Sequence, residues 1–395
     1  MARARSSSAE APGLARYAGG VTTVIHSARK LDASGEQDSF WMLLDGGSIT
    51  STGTGAWPAA DTVVDARGHW MVPGFIDLHG HGGGGHQYDD GVEAIASGLA
   101  AHRAHGTTRS LISLVANPLD ALLGSLATIA DLAADDPLVL GAHLEGPFLA
   151  QERRGAHHPG HLLEPQPGIV EQLLGAARGT VRLLTIAPEL PNALEAVDVL
   201  VENGVTVAVG HTEASFEEAG EAFDRGARVL THAFNAMPGI HHRAPGPVVA
   251  ALEDDRVTLE LILDGMHVHP AVAKLAFDGA PGRIALITDA MAAAGVGDGD
   301  YRLGALNVSV REGLAMLSGT GTIAGSTLTQ DEALRRAIEF IEPRDAIAAL
   351  TCTPAKAIGL DGTLGMLAPG FVADAVLLDR EWRVTSVWAN GALIA

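Results

Sequence analysis

Seven histidine and acidic residues stand directly after short apolar runs of the sequence, where their side chains could meet around a metal ion. They are His79, His81, Glu145, His211, His232, His267 and Asp289. His79 and His81 are two residues apart, so both side chains point to the same side of an extended chain. Imidazole nitrogens and carboxylate oxygens bind zinc- or iron-like divalent ions, and an open coordination position on such an ion binds and acidifies water. The pattern therefore indicates a metal centre that can activate water.

The apolar runs that precede these residues alternate with helical segments. Eight runs, which start about 30 residues apart, cover residues 74–78, 109–115, 138–144, 181–187, 205–210, 228–231, 258–263 and 284–288. Between them, segments such as 92–105, 192–202 and 213–223 repeat apolar residues at helical spacing, and several are followed by Gly. Eight alternations predict a (β/α)8 TIM-like barrel, in which the carboxyl ends of the strands meet at one face. All seven residues would lie on that face.

The two ends of the chain predict a separate, smaller unit. Strand-like runs at 21–25, 40–44 and 62–65 are separated by turns, and two more follow at 373–378 and 382–388. Neither end has enough apolar residues for a core of its own, so we expect the two ends to pair. The predicted organisation is a loose tail at 1–18, a small β-sandwich domain formed by 19–73 and 366–395, and a barrel at 74–365.

Composition and charge narrow the class of function. The 395 residues carry a formal net charge of −21, and so negative a protein disfavours nucleic acid and anionic membrane surfaces. No apolar run approaches the roughly 18 residues of a membrane span, and the first residues lack the apolar core of a secretory signal. The single cysteine, Cys352, excludes an internal disulfide and a thiolate zinc cage. We therefore expect a soluble cytoplasmic protein that acts on a small molecule.

Each candidate residue also has an ordinary structural interpretation. A histidine at the end of a strand commonly caps or packs, Asp289 could cap the next helix, and Glu145 before Gly146-Pro147 could be a loop acid. The accumulation of these residue types in one layer of the predicted barrel favours the metal centre over the separate explanations.

Longer motifs around the same residues resemble the amidohydrolase superfamily. Its opening signature is similar to residues 73–81, Pro-Gly-Phe-Ile-Asp-Leu-His-Gly-His, and its closing signatures are similar to residues 354–360 and 367–374. More specific motifs resemble one family within it, the N-acetylglucosamine-6-phosphate deacetylases. These motifs occupy residues 143–149 (His-Leu-Glu-Gly-Pro-Phe-Leu), 155–157, 187–189, 210–212, 231–238, 241–246, 264–268, 288–291 and 323–329.

The resemblance implies a role for the matching residues. The family's metal ligands match Glu145, His211 and His232, and its catalytic acid/base matches Asp289, which we also count among the candidate ligands. A second metal position matches His79 and His81. The resemblance therefore implies one or two divalent ions per subunit, zinc or iron. His267 is implied in stabilising the oxyanion of the reaction.

The resemblance also implies an amino-sugar phosphate as substrate. Its contacts would be Ala156, Asn235, Ala236, Arg243, His267, Ile323, Ala324 and Gly325. The planar guanidinium of Arg243 suits phosphate oxygens. Related enzymes are dimers in which this loop can reach the neighbouring active site. We therefore expect a homodimer, and whether Arg243 serves its own or the neighbouring subunit stays open.

The scarcity of lysine excludes one form of metal centre. Many related hydrolases bridge two ions with a carbamylated lysine, whereas this chain has no lysine between Lys30 and Lys274. Glu145 is the remaining bridge, which argues against dihydroorotase-like and hydantoinase-like enzymes.

The expected reaction is hydrolysis of the acetamide of N-acetyl-D-glucosamine 6-phosphate to D-glucosamine 6-phosphate and acetate, in amino-sugar catabolism and cell-wall recycling. Another amidohydrolase reaction, such as deamination, is one alternative, and it would release ammonia instead of acetate. A non-catalytic metal-binding barrel that senses a sugar phosphate is a second alternative, and it would bind its ligand without turnover.

Overall fold

The first described part of the chain consists of strands. The computed structural model describes residues 21–395, so the tail predicted at 1–18 lies outside the described residues. The strands are β1 (Thr22–Asp32), β2 (Gly35–Asp45), β3 (Ser48–Thr54), β4 (Thr62–Asp65) and β5 (Trp70–Pro73). The three predicted runs fall in β1, β2 and β4. The prediction misses β3, which is rich in Ser and Thr, and β5, which runs almost directly into the next strand.

Eight parallel strands then form a barrel. Together with a short hairpin, β7 and β8, the strands of this part are β6 (Phe75–Asp77), β7 (Gly82–Gly83), β8 (His86–Gln87), β9 (Thr107–Leu114), β10 (Val139–Glu145), β11 (Val181–Ile186), β12 (Thr206–Val209), β13 (Val229–Leu230), β14 (Thr258–Ile262) and β15 (Ile284–Ile287). Hydrogen bonding joins β6 to β9 and then each strand to the next, up to β15. These eight strands coincide with the eight predicted runs, and the (β/α)8 barrel is confirmed.

Helices cover the outside of the barrel. They are α1 (Val92–Arg103), α2 (Leu119–Asp135), α3 (Pro167–Ala177), α4 (Ala193–Glu202), α5 (Phe216–Asp224), α6 (Gly246–Glu253), α7 (Pro270–Gly279), α8 (Gln330–Ala337), α9 (Pro343–Leu350) and α10 (Cys352–Ala357). The start of α5 is fixed by a capping box, in which Ser215 and Glu218 each bond the other's backbone N–H with a side-chain oxygen. Within residues 21–395, none of the helices has both the length and the apolar character needed to cross a bilayer.

Side chains close the barrel between its first and last strands. The Asp77 carboxylate on β6 accepts hydrogen bonds from the backbone N–H of Thr288 at 3.2 Å and from its hydroxyl at 2.6 Å. Deeper in the barrel, the buried Gln330 amide donates to the carbonyls of Ile76, at 3.4 Å, and Leu286, at 3.1 Å. These bonds satisfy backbone and side-chain groups that would otherwise be buried without partners.

A three-stranded antiparallel sheet after the barrel's last strand is absent from the prediction. It consists of β16 (Gly299–Leu303), β17 (Leu306–Arg311) and β18 (Leu314–Leu317). Its apolar side packs on Val115 and Met291, next to the carboxyl ends of the barrel strands. The insertion therefore forms part of the wall around the predicted site.

The carboxyl-terminal strands return to the amino-terminal ones, as predicted. They are β19 (Ala375–Leu378), β20 (Val384–Ala389) and β21 (Ala392–Leu393). β19 pairs with β5, which joins both ends of the chain into one continuous mixed sheet of eight strands. The sheet encloses a small core that includes Ile25, Phe40, Met42 and Trp388. Gly74 lies between β5 of this sheet and β6 of the barrel.

A buried ion pair joins the terminal sheet to the barrel. Arg109 on β9 donates from Nε to Asp374 Oδ2 at 2.6 Å and from Nη2 to Oδ1 at 3.0 Å. Both residues are more than nine-tenths buried. Asp374 Oδ1 also accepts from the backbone N–H of Asn390 at 2.7 Å, so its charge is well compensated.

We expect Asp374→Ala to lower the free energy of unfolding by about 3–5 kcal/mol, because it leaves the Arg109 charge buried without its partner. Urea titration of the metal-free protein measures this change. The matched control is Asp131→Ala, which breaks the exposed pair with Arg178 and should cost about 1 kcal/mol or less. Equal effects of the two substitutions would contradict a structural role for the buried pair.

Candidate active site

The candidate ligands stand where barrel strands end, and the backbone there is strained. Glu145 is the last residue of β10, whereas His211, His232 and Asp289 each follow a strand by two residues. These last three residues have φ values of 48°, 25° and 47°. The left-handed region costs a non-glycine residue about 1–3 kcal/mol and is concentrated at functional sites. The strain turns the three side chains toward the barrel axis instead of leaving them on the strand pleat.

The first and last barrel strands meet at the candidate ligands themselves. The backbone N–H of Asp289 donates to the carbonyl of His79 at 2.8 Å, and the N–H of His81 donates to the carbonyl of Ala290 at 2.7 Å. These two bonds extend the pairing of the strands beyond their ends. The positions of His79 and His81 relative to Asp289 are therefore fixed by the barrel backbone.

The Glu145 carboxylate lies at the centre of the site. Five imidazole Nε2 atoms are 3.0–3.3 Å from its oxygens. The rings belong to His79, His81, His157, His211 and His232. Two groups of three residues have side-chain ligand atoms close enough to share an ion, one formed by His79, His81 and Asp289 and the other by Glu145, His211 and His232. All six residues are buried, and they are the six that the sequence proposes as ligands.

The donor set of these groups fits a divalent cation. His211 Nδ1 lies 2.7 Å from the carbonyl oxygen of Arg153, which can only accept, so Nδ1 carries the proton and Nε2 turns a lone pair inward. The Nε2 atoms of His211 and His232 nevertheless face each other at 3.0 Å, and those of His79 and His81 at 3.1 Å. Neutral imidazoles whose lone pairs converge repel one another. A cation bound between them removes the conflict.

The pKa values of the site reflect the attraction between its buried carboxylates and imidazoles. Burial opposes the charge on Glu145, but the neighbouring imidazoles hold its pKa well below the usual range. Burial likewise opposes protonation of His81, yet Asp289 and Glu145 raise its pKa to about 9. Hydrogen bonding to His81 helps to overcome burial and lowers the pKa of Asp289 to about 2. A proton thus occupies the His81 ring when no cation does, and metal binding must displace it.

His157 is a site residue that the sequence analysis names in a motif without giving it a role. Its Nδ1 accepts from the backbone N–H of Ala116 at 3.1 Å, so its proton is on Nε2. That N–H points at Glu145 Oε2, 3.2 Å away. Burial lowers the pKa of His157 to about 4, which keeps the ring neutral. It therefore offers the site a hydrogen-bond donor instead of a lone pair.

His267 is oriented by an aspartate that the sequence analysis also leaves without a role. Asp264, three residues earlier, accepts from His267 Nδ1 at 2.7 Å and from the His267 backbone N–H at 2.9 Å. Burial opposes protonation of the ring, but this bond raises the pKa of His267 above its ordinary value. The three-residue spacing of Asp264 and His267, directly after the run that forms β14, is the sequence signal that could have identified this pair.

A cavity of about 440 Å³ opens onto both ligand groups. Six of the predicted substrate contacts line it, namely Ala156, Asn235, Ala236, His267, Ile323 and Gly325. Two do not. Ala324 is buried in the apolar cluster of the inserted sheet, and Arg243 lies on an exposed turn where its guanidinium contacts His242 Nε2 at 2.7 Å. Arg153 and Arg154 line the cavity without having been predicted.

The chain is similar to known proteins over most of its length. The sequence model of the Amidohydrolase family matches residues 70–394. N-acetylgalactosamine-6-phosphate deacetylase of Escherichia coli O157:H7 is 37% identical over 94% of this chain and 99% of its own. N-acetylglucosamine-6-phosphate deacetylase of Bos taurus is 36% identical over 85% and 86% of the two chains.

A solved structure is similar over the whole fold. It is N-acetyl-D-glucosamine-6-phosphate deacetylase of Mycobacterium smegmatis, an aspartate-to-alanine variant in complex with N-acetyl-D-glucosamine-6-phosphate. The TM-score is 0.90 at 42% identity, and the match covers 95% of this chain and 100% of that one. The chain described here belongs to the amidohydrolase family. Within it, the named relatives are amino-sugar phosphate deacetylases.

We expect Glu145→Gln to lose nearly all bound divalent metal, because the carboxylate is a ligand in one group and contacts both rings of the other. His81→Asn should keep the ion held by Glu145, His211 and His232. Elemental analysis of the purified variants measures both. Glu221→Gln changes an exposed acid and should keep the wild-type metal content. A Glu145 variant that retains as much metal as the His81 variant would argue against a shared central ligand.

Proposed function

We propose that this chain hydrolyses the acetamide of N-acetyl-D-glucosamine 6-phosphate to D-glucosamine 6-phosphate and acetate, with a divalent metal as cofactor. The observation that carries the proposal is the convergence of Glu145, four candidate imidazole ligands and Asp289 beside one cavity. The relatives named above act on the 6-phosphates of N-acetylated amino sugars. An amide resists attack by water because resonance stabilises it, so the site must supply both a nucleophile and stabilisation of charge.

The residues that would hold the metal are the two buried groups around Glu145. We propose zinc or iron, one or two ions per subunit, because both metals accept imidazole and carboxylate ligands. A bound ion of this kind supplies a Lewis acid and lowers the pKa of water toward about 7. Glu145 would serve both groups if both are filled, since its carboxylate contacts rings of each: Oε1 lies 3.0 Å from His211 Nε2, and Oε2 lies 3.1 Å from His81 Nε2.

Asp289 would move the proton of the reaction. Its low pKa makes it a carboxylate at neutral pH, ready to accept a proton from the attacking water. As the bond from the carbonyl carbon to the water oxygen forms and the C–N bond breaks, the same carboxyl returns this proton to the sugar nitrogen. Acetic acid and a free amine are the products, the acid ionises to acetate by releasing its proton to solvent, and no other reactant is needed.

One imidazole would stabilise the carbonyl oxygen as it becomes negative. Burial opposes protonation of His267, but its hydrogen bond to Asp264 raises the pKa of the ring, which favours the protonated, donating form at the cavity wall. His157 would act through Glu145 instead, because its one N–H points at Glu145 Oε2, 3.2 Å away. A hydrogen-bond donor that is already in place stabilises a developing negative charge most strongly when the site is shielded from water.

Recognition of the sugar phosphate would combine the cavity wall with a second subunit. We assign substrate contacts to the six predicted residues that line the cavity, Ala156, Asn235, Ala236, His267, Ile323 and Gly325. Arg243 is exposed and does not line the cavity of its own chain. This supports a homodimer in which Arg243 reaches the neighbouring active site and binds phosphate there. A phosphorylated sugar does not cross membranes unaided, which supports a cytoplasmic location.

Purified enzyme should release acetate and free amine in equal amounts from N-acetyl-D-glucosamine 6-phosphate, and chelation should abolish both. Asp289→Asn should lose about 10²–10⁴-fold in turnover while retaining the ion held by Glu145, His211 and His232. Parallel assays with N-acetyl-D-galactosamine 6-phosphate test the choice of sugar. Ammonia as the product would favour a deaminase, and binding without turnover would favour a sensor. Wild-type activity in the Asp289 variant would reject the role given to this residue.

Asp264→Asn should move the alkaline limb of the turnover profile to lower pH. The donating, protonated form of His267 exists below its pKa, and Asp264 holds that pKa above the ordinary value. Without this charge, burial lowers the pKa, so activity is lost at a lower pH while the acidic limb stays in place. Asp278→Asn, which changes an exposed acid paired with Lys274, is the control and should leave the profile unchanged. An alkaline limb that does not move would show that His267 acts in its neutral form.

A further inference from the structure

A further buried acid lies inside the barrel, below the ligands, and the mechanism above does not use it. Glu260 is on β14 and is fully buried. Its carboxylate has no arginine or lysine partner among the described residues. A buried carboxylate without a cationic partner is expensive to keep in a barrel that apolar residues could fill. Its contacts should therefore explain its presence.

Those contacts lead to both ligand groups. Glu260 Oε2 lies 3.3 Å from His79 Nδ1, and the backbone N–H of His232 donates to the same oxygen at 3.3 Å. The backbone carbonyl of Glu260 also accepts from the N–H of Ala233 at 2.8 Å. Among the described residues, the Nδ1 atoms of His81 and His232 have no hydrogen-bond partner. His79 is thus the ring whose orientation is set by a buried carboxylate.

The geometry determines what this contact does. A carboxylate can only accept a hydrogen bond, so Glu260 selects the tautomer of His79 that carries its hydrogen on Nδ1. The lone pair on His79 Nε2 then faces Glu145, 3.3 Å away. Glu260 contacts the ring on the side away from the centre, so it is not itself a ligand. Carboxylates in this relation to a ligand histidine fix its tautomer and increase its basicity.

We propose that Glu260 is a positioning residue that orients His79 and thereby controls how tightly the group of His79, His81 and Asp289 binds its ion. The proposal rests on the metal centre of the proposed function. According to this proposal, the two ligand groups depend to different degrees on the Glu260 side chain. The first group depends on the Glu260 side chain through an imidazole ring, whereas the second meets it only through the backbone of His232.

The test is a titration of metal-free enzyme with Zn²⁺ in competition with a chromophoric chelator, which resolves separate binding steps. Glu260→Met keeps the volume and removes the acceptor. We expect it to weaken one binding step by about 10–100-fold and the other by no more than about threefold. The weakened step should be the one that His81→Asn abolishes. Glu260→Gln keeps an acceptor oxygen, so it should bind within about tenfold of the wild type.

Two controls separate positioning from loss of structure. Thr185→Val removes a buried hydroxyl that bonds His143 and Thr231, and it should leave both binding steps unchanged. Thermal unfolding of the metal-free variants reports on the barrel itself. Equal weakening of both steps in Glu260→Met would overturn the proposal, and so would a Gln variant as weak as the Met variant. A wild-type enzyme that binds an ion in one group alone would also overturn it, whereas one that binds no metal would instead refute the metal centre of the proposed function.

Discussion

The negative charge of Glu145 is buried among five imidazole rings, and a carboxylate in that position is stable only while positive charge surrounds it. Protons on the rings or a bound cation can provide that charge. The rest of the site follows from this requirement. Rings that follow three different barrel strands, and one more from a loop, must reach one carboxylate, and the strands must hold their ends in register for the rings to do so.

The barrel meets this requirement by accepting local strain. His211, His232 and Asp289 adopt left-handed backbone conformations that bulky residues avoid. Close packing of the neighbouring strands holds the backbone in these conformations. Gly210 precedes His211 where a Cβ atom would lie 2.6 Å from the Cβ of Thr231. The free energy lost at each strained residue is offset by burial and hydrogen bonding in the strands below it.

The sequence predicts the barrel, and the positions of the candidate ligands at its strand ends, for one physical reason. In parallel strands buried on both faces, apolar runs are nearly continuous, so an interrupting histidine or acid marks the strand end. This rule does not identify Glu260, because the residue lies within β14 instead of after it. Nor does it identify His157, which comes from a loop, where no periodicity in the sequence places a side chain. Its role depends on a contact with Ala116 that sequence spacing cannot reveal.

The missed inserted sheet has a related cause. Once eight runs account for a complete barrel, the short strands of 299–317 have no place in the expected order. Arg243 illustrates a different limit. Its motif identifies a phosphate contact by resemblance, but the folded chain leaves the residue outside its own cavity. Whether Arg243 binds substrate in its own subunit or in a neighbouring one depends on how subunits assemble, which the local sequence does not determine.

The backbone bonds between His79 and Asp289 carry a consequence for how the molecule matures. These residues belong to the first and last strands of the ring, so one half of the candidate centre is contributed by segments about two hundred positions apart. During synthesis, Glu145, His211 and His232 emerge and can associate before the ring is complete. The remaining group forms only when the first and last strands of the ring are paired. A nascent or nicked chain could thus capture one ion, while the complete constellation is reserved for the finished molecule.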